Sequence, residues 1–441
     1  MDFYTIKEII IRLKQINIYI CKEIYMNMLK KSFVILMSLL MTGVIAKGQQ
    51  GVVTGQGLEY NVISTAVPFM IIAPDARSAG MGDLGVSTSP DVYSMHWNPA
   101  KYAFIEDDFS IGLAYSPWLR KLVPDMNIAY LAVSKRVSSK STIAGSLKYF
   151  TLGEINFRGP ANEDLGTYSP NEFAVDLCYS RKLGDYLSAA VAGRFIYSHL
   201  TQGVMNYSRA AWSVAADIGV YYQRPVYFNT IDGEFSWGVA ITNMGSKMSY
   251  TNANSKSDFI PTNLRFGPSI KLNIDDFNSL AFSLDINKLL VPTPPEYAYY
   301  TDSLGVMHPE YDANGNRVIA KGMDPNVSVV QGMIQSFYDA PGGFSEELKE
   351  FTLSVGAEYW YNKVFAVRAG FFHEAKMKGN RRYLTFGAGL RYNVFALDVS
   401  YLVPVNNKAN SGTNPLEGTL RFNLAFNINK WGENTRLEKV D

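Results

Sequence analysis

About fourteen short segments of this chain alternate apolar residues with small or polar ones, and this period of two constrains the fold more than any other feature. Leu280, Phe282, Leu284 and Ile286 interleave with Ala281, Ser283, Asp285 and Asn287. Phe422, Leu424, Phe426 and Ile428 interleave with Arg421, Asn423, Ala425 and Asn427. Successive side chains of a strand point to opposite faces, so each stretch has one apolar face and one polar or small face. A soluble sandwich would turn its apolar face to a second sheet and its polar face to water. An outer-membrane barrel turns the apolar face to lipid and the polar face to its lumen.

Nearly all of these segments follow a secretory signal. Lys30 and Lys31 after Met28, an apolar run from Phe33 to Ile45, and Ala46 and Gly48 before Gln49 have the order of a signal peptide with its cleavage site. The run is too short to span a bilayer as a helix. Residues 1–27 read as an upstream extension, so 1–48 is set aside from the fold. These 48 residues carry seven basic and three acidic side chains, and the net charge therefore falls from +1 to 1 − (7 − 3) = −3. So small a charge gives no electrostatic case for binding nucleic acid. No apolar run long enough for a membrane helix follows, so any membrane-spanning part must be a closed barrel, which leaves no backbone group unpaired in lipid. Aromatic residues at 13%, with Tyr outnumbering Phe, suit girdles at two membrane interfaces.

The alternation places strands near residues 109–116, 127–137, 141–152, 172–183, 187–200, 209–223, 235–244, 264–274, 279–290, 351–361, 364–373, 383–393, 395–403 and 418–428. Connections after the second, fourth, eighth, tenth and twelfth are tight, whereas those after odd-numbered strands are mostly longer. Short periplasmic turns alternating with long external loops fit a barrel with both termini in the periplasm. Arg224–Glu234, after the sixth strand, is the medium-length exception. The fold expected is all-β: a transmembrane antiparallel β-barrel of about 14 strands over 109–428, with an N-terminal plug and a long structured external loop. A short tail, 429–441, follows on the periplasmic side.

Residues 49–108 precede the first strand, do not alternate, and are expected to fold inside the barrel as a plug, with a short helix near Val92 to His96. The long loop, 291–350, has its own organisation. Pro325 is expected to open a helix in which Val327, Val330, Ile334 and Phe337 share one face. After Pro341, Gly342 and Gly343, Ser345 is expected to cap a second helix at Glu346 to Lys349. Loops this long with internal structure are usually functional.

Several motifs read better as structure than as chemistry. Gly80, Gly82 and Gly85 match the spacing of a dinucleotide site, yet Pro74 to Ser78 is not the buried strand that site needs. Asp312, Asn314 and Asn316 are spaced like calcium ligands, but Gly315 and Met323 fall where the loop needs other residues. His96, His199, His308 and His373 form no metal-ligand spacing. A Ser–His pair for lipid hydrolysis, with His199 beside Ser198 as one candidate, is weighed against interface histidines without catalytic duty, and the latter is preferred. Cys178, the one cysteine after the signal, reads as a small lumen-facing filler. Asp176, Arg194, Asp217, Asp285, Glu358, Arg368, Arg391, Asp398 and Arg421 fall on the inward phase. They are expected to pair with one another and with the plug, a reading preferred over a polar conduit. No catalytic, metal or cofactor-binding residue is assigned.

Asp75 to Gly85, followed by Trp97, Asn98, Pro99 and Ala100, resembles the N-terminal hatch of the FadL-like outer-membrane superfamily. Together with the stretch Phe337 to Leu348, it is most similar to the PorV (LptO) family of the Bacteroidetes type IX secretion system. The resemblance covers essentially all of the chain after the signal, and it implies an outer-membrane protein that is not an enzyme and uses no cofactor. Such a protein would receive cargo bearing a C-terminal sorting domain from an SprA-like giant translocon barrel. It would pass that cargo to a PorU-like attachment complex, which joins it to anionic lipopolysaccharide. The implied plug signature is Gly80, Gly82, Gly85, Asn98, Pro99 and Ala100. The implied partner-binding loop carries Phe337, Tyr338, Asp339, Pro341 and Phe344. The alternatives are FadL-like uptake of hydrophobic small molecules, which requires an apolar pocket inside, and lipopolysaccharide deacylation.

Overall fold

The computed structural model describes residues 60–429, except 122, 124, 160–161, 201–208, 229–230, 251–256 and 406–415. The signal segment, residues 49–59 and residues 430–441 lie outside the described residues, as do both chain ends. Fourteen strands close into one antiparallel ring. They are β1 (Phe109–Pro117), β2 (Asn127–Ser138), β3 (Ser141–Thr151), β4 (Asn171–Lys182), β5 (Leu187–His199), β6 (Ala211–Phe228) and β7 (Ile231–Gly245), then β8 (Asn263–Asn273), β9 (Asn278–Leu289), β10 (Thr352–Tyr361), β11 (Phe365–His373), β12 (Arg382–Tyr392), β13 (Phe395–Pro404) and β14 (Leu420–Ile428). Each pairs with the next, and β1 closes on β14 from Phe109↔Ile428 to Tyr115↔Phe422. Closure leaves no strand edge facing lipid.

Alternation along each strand becomes a two-sided wall. Leu113, Leu177, Val191, Trp212, Phe386 and Leu397 are exposed on the outside, while Ala114, Cys178, Ala192, Ser213, Thr385 and Asp398 are buried on the inside. Among the described residues no helix is long and apolar enough to cross a membrane. The apolar outer surface of the ring is the part fitted to a bilayer.

All fourteen strands read from the alternation are present, within a few residues at their ends. The connection Arg224–Glu234 is different from its sequence reading. β6 and β7 pair as far as Phe228↔Ile231, so the sixth connection is tight like its counterparts. Polar residues such as Arg224 and Glu234 belong to the ladder there, so alternation no longer marks the strand. The ring therefore has a short-turn end and a long-loop end. The connection between β3 and β4 also carries a small hairpin, Ile155–Arg158 with Asp164–Tyr168, that alternation did not reveal.

Most of residues 60–108 lie within the lumen. Hydrogen bonds run from this segment to β1, β3, β4, β5, β6, β7, β8, β9, β10, β12 and β14. A segment bonded to strands all around a closed ring lies inside it. The core is the space between plug and wall, where Phe69 and Met70 pack against Ile128, Phe150 and Ile196, and Met95 and Tyr102 pack against Cys178 and Ala192.

Candidate functional site

The plug is held by polar contacts that answer the inward charges of the wall. Arg77, in the short helix Ala76–Ala79, pairs with Glu358 of β10 and with Asp91, both at 2.8 Å. Glu358 also meets Arg368 of β11 at 2.6 Å, and Arg368 reaches Asp398 of β13 at 2.7 Å. Arg194 pairs with Asp176 and with Asp217. Asp285 accepts the amides of Gly85 and Val86 at 2.7 and 2.9 Å. Buried charges need such partners, and these residues have them. Arg391 differs: its guanidinium lies 4.3 Å from the Trp360 ring, beside a polar cavity of about 520 Å³ at the short-turn end.

The signature residues are fitted to the wall. Gly82 has φ 87°, and a Cβ there would stand 2.8 Å from the Phe371 carbonyl oxygen. Gly80 lies against Gly387 and Gly85 against the Trp97 ring, so this glycine run is a packing surface. Asn98 donates to the carbonyls of Val86 and Val220 and accepts the Ala100 amide, capping the 3-10 turn Pro99–Phe104. Pro99 fills the first position of that turn, where a missing N–H costs nothing. Ala100 is fully buried, and its carbonyl accepts from Ser180 and Ser188. The expected helix near Val92 to His96 is Ser94–Trp97.

Residues 290–351 rise from the long-loop end. They form one small hairpin, Tyr299–Thr301 with Met307–Pro309, enclosed by a second strand pair, Glu296–Tyr297 with Ile319–Lys321, and followed by two helices. The first helix is Val329–Gln335. Ser328 caps it, not Pro325, and Val327 precedes it. The second is Phe344–Glu347, with Gly343 at its N-cap and Ser345 inside it, continuing as a 3-10 turn Leu348–Glu350. Within the same loop, Asp312 accepts the amides of Asn314 and Asn316, which makes the calcium-like spacing a polar turn.

The polarity of the first helix is partly reversed, although Val329 and Met333 are half-buried. Gly332, Gln335 and Ser336 are buried beneath it, whereas Val330 and Ile334 are 68% and 59% exposed. A surface helix ordinarily buries its apolar stripe. Phe337, Tyr338, Phe344 and Leu348 extend the exposed apolar surface, and Pro341 is partly buried. Asp339 is turned the other way: it is 1% exposed and accepts from the Thr293 amide and from Gln335. Burial pushes its carboxyl up to about 6, against the hydrogen bonds from Thr293.

Beneath the loop is a buried ionic cluster. Lys288 of β9 meets Glu347 at 3.2 Å and Glu350 at 2.6 Å, and Lys378 meets Glu346 at 2.6 Å and Glu350 at 2.9 Å. Burial alone would raise Glu346, but the Lys378 ammonium, the Gly342 amide and the Asn61 amide outweigh it and hold the carboxyl below its ordinary range. The sequence places Glu346 and Glu347 only at the start of the second helix. Nothing in the local pattern could pair them with lysines so distant along the chain.

A cavity of about 460 Å³ lies under this cluster, with Ile63, Ile71, Trp118, Phe372, Leu402 and Leu416 in its lining. Much of its apolar surface comes from the plug and loops, so the inward phases of the strands gave no sign of it. Ser198 binds Glu172 at 2.6 Å on the inside, while His199, the next residue of β5, packs against Tyr168 and Tyr197. Adjacent strand positions point to opposite faces, so these two do not form a dyad. Among the described residues no group of His, Cys, Asp and Glu could hold a metal ion.

The family model of the type IX secretion system protein PorV matches residues 56–296. No curated protein matches the chain. Among solved structures, the toluene transporter TodX of P. putida is 8% identical with a TM-score of 0.45, over 82% of this chain and 100% of that one. The monoaromatic hydrocarbon channel CymD is 11% identical with a TM-score of 0.42, over 82% and 99%. A Pseudomonas aeruginosa FadL homologue is 12% identical with a TM-score of 0.36, over 81% and 98%.

Proposed function

We propose a function from one premise: the chain belongs to the PorV family of type IX secretion system proteins. It is an outer-membrane component of that system, a barrel by fold. On our reading it works without catalysis: it binds the C-terminal sorting domain of cargo leaving an SprA-like translocon and carries the cargo to a PorU-like attachment complex. The long-loop end faces outward, and the short turns face the periplasm. The filled lumen supports a carrier that does not leak.

The partly reversed helix Val329–Gln335 carries this reading. Apolar side chains facing water are costly unless a partner covers them. Phe337, Tyr338 and Phe344 are the proposed anchors, because aromatic residues dominate interface energetics. Asp339 supports the loop from within. The test is to delete the gene and fractionate the cells, following one cargo with a sorting domain alongside uptake of a long-chain fatty acid. Cargo retained in the periplasm or on its translocon, with uptake unchanged, supports the carrier. Normal display with impaired uptake overturns it.

That second outcome would favour FadL-like uptake of a hydrophobic molecule. The observation behind this alternative is the partly apolar cavity of about 460 Å³, a size suited to a small ligand.

A further inference from the structure

The described chain begins at the long-loop end, opposite to the side on which the sequence places the N-terminus. The Asn61 amide donates to the Met377 carbonyl at 2.7 Å, and its side-chain nitrogen reaches Pro294 O at 3.2 Å and Glu346 Oε1 at 2.9 Å. Met377 lies between β11 and β12, and Pro294 lies in the long loop. Further in, the Ala66 amide donates to Phe259 O at 2.8 Å, and from there the chain descends into the plug. Residues 61–66 thus form a strap over the mouth of the barrel. Val62 is exposed, and Ala66 is buried.

What holds the strap is the underside of the same short segment that presents apolar groups above. In residues 344–350, Glu346, Glu347 and Glu350 are buried against Lys288, Lys378 and Asn61, while Phe344 and Leu348 are 76% and 55% exposed. Three carboxylates face two ammonium groups, and the Asn61 amide adds a neutral donor. Every member depends on the others, because a buried carboxylate that loses its cation is strongly disfavoured. Thr293 Oγ1, donating to Glu350 at 2.6 Å, ties the start of the loop into the cluster.

We propose that residues 344–350 are a latch: their acidic side clamps the strap of the plug, and their apolar side is part of the surface a partner grips, so that lifting the loop frees the strap. This rests on the reading of the loop as partner-facing. The latch converts an event at the external surface into loosening of the lumen, using one rigid element seen from two sides.

The experiment uses the whole protein in intact cells and a membrane-impermeant maleimide. Cys178 is buried, which keeps the background low. Val62→Cys is expected to label rapidly and Ala66→Cys slowly. Adding Lys378→Met to Ala66→Cys is expected to raise its labelling rate at least tenfold, and Glu346→Gln to raise it less. Heat-modifiable gel mobility checks that each barrel is assembled; if Lys378→Met does not assemble, Glu346→Gln alone decides. Unchanged Ala66→Cys labelling in an assembled barrel lacking the ion pair would overturn the latch, as would Val62→Cys inert to the external reagent. Phe344→Ser separates the two readings. Normal cargo display in Phe344→Ser, with Ala66→Cys still responding to Lys378→Met, would mean that the partner-facing reading fails while the clamp stands.

Discussion

The barrel wall and the long loop share one arrangement and meet different surroundings. Both turn apolar residues outward and polar residues inward: Leu177 and Phe386 on the wall, Ile334 and Phe344 on the loop. For the wall, lipid is the solvent that makes this favourable. The loop stands beyond the strands, where the same arrangement exposes apolar surface to water. The difference teaches that an inside-out pattern is explained only by what covers the outside, and for the loop the cover we propose is a protein partner.

Removing one cation from the loop's underside should have the largest effect. Lys288→Met leaves Glu347 and Glu350 short of a partner and should cost about 3–5 kcal/mol of local stability, seen as lost hydrogen-exchange protection over residues 344–350. If protection is unchanged, the buried cluster does not hold the loop. An equivalent charge on the outside sharpens the contrast. Leu177→Arg, facing lipid, should destabilise the barrel by about 2–4 kcal/mol, whereas Ile334→Arg should leave refolding in detergent or lipid unaffected. Equal losses at both sites would remove the distinction between wall and loop.

Plug and wall can be set against each other in the same way. A Cβ at Gly370 would lie 2.0 Å from the Met81 carbonyl carbon. Gly370→Val should therefore unseat the plug at a cost of about 1–3 kcal/mol, read as raised conductance in planar bilayers. Silence there would mean that the plug has room to shift.

The smallest effect concerns pH. Asp339 sits in the loop with its carboxyl raised to about 6 from 3.8, so the folded loop binds a proton that the opened loop has released. Loop stability should fall slightly as pH rises from about 4 to about 6, and then level off. Glu346 has the opposite sign: its lowered value gives stability at neutral pH that is lost on strong acidification. Asp339→Asn should flatten the first of these trends in hydrogen exchange and leave the second.

The strands were legible because lipid on one side and a filled lumen on the other impose a strict period of two. The pattern failed at Arg224 to Glu234, where polar residues and Pro225 interrupt the alternation although the strands stay paired. Asn98, Pro99 and Ala100 were recognisable through resemblance, but their roles as cap, turn opener and small packing residue required the wall to be in view. The family match ends at residue 296 and does not reach Phe337 to Leu348, which sequence reading took as that family's loop. Within that stretch, Asp339 looked equivalent to its neighbours. Its burial depends on Thr293 and Gln335, and one-dimensional pattern carries no trace of that pairing. The cavity was invisible for the same reason, being lined from several separate parts of the chain.

The most direct test of the central claim is cargo display at the surface of cells carrying Ile334→Arg together with Phe344→Asp, with barrel assembly measured in the same cells. The account predicts an assembled barrel, at least a tenfold loss of displayed cargo, and cargo retained on the translocon or in the periplasm. Normal display from an assembled double variant would contradict it.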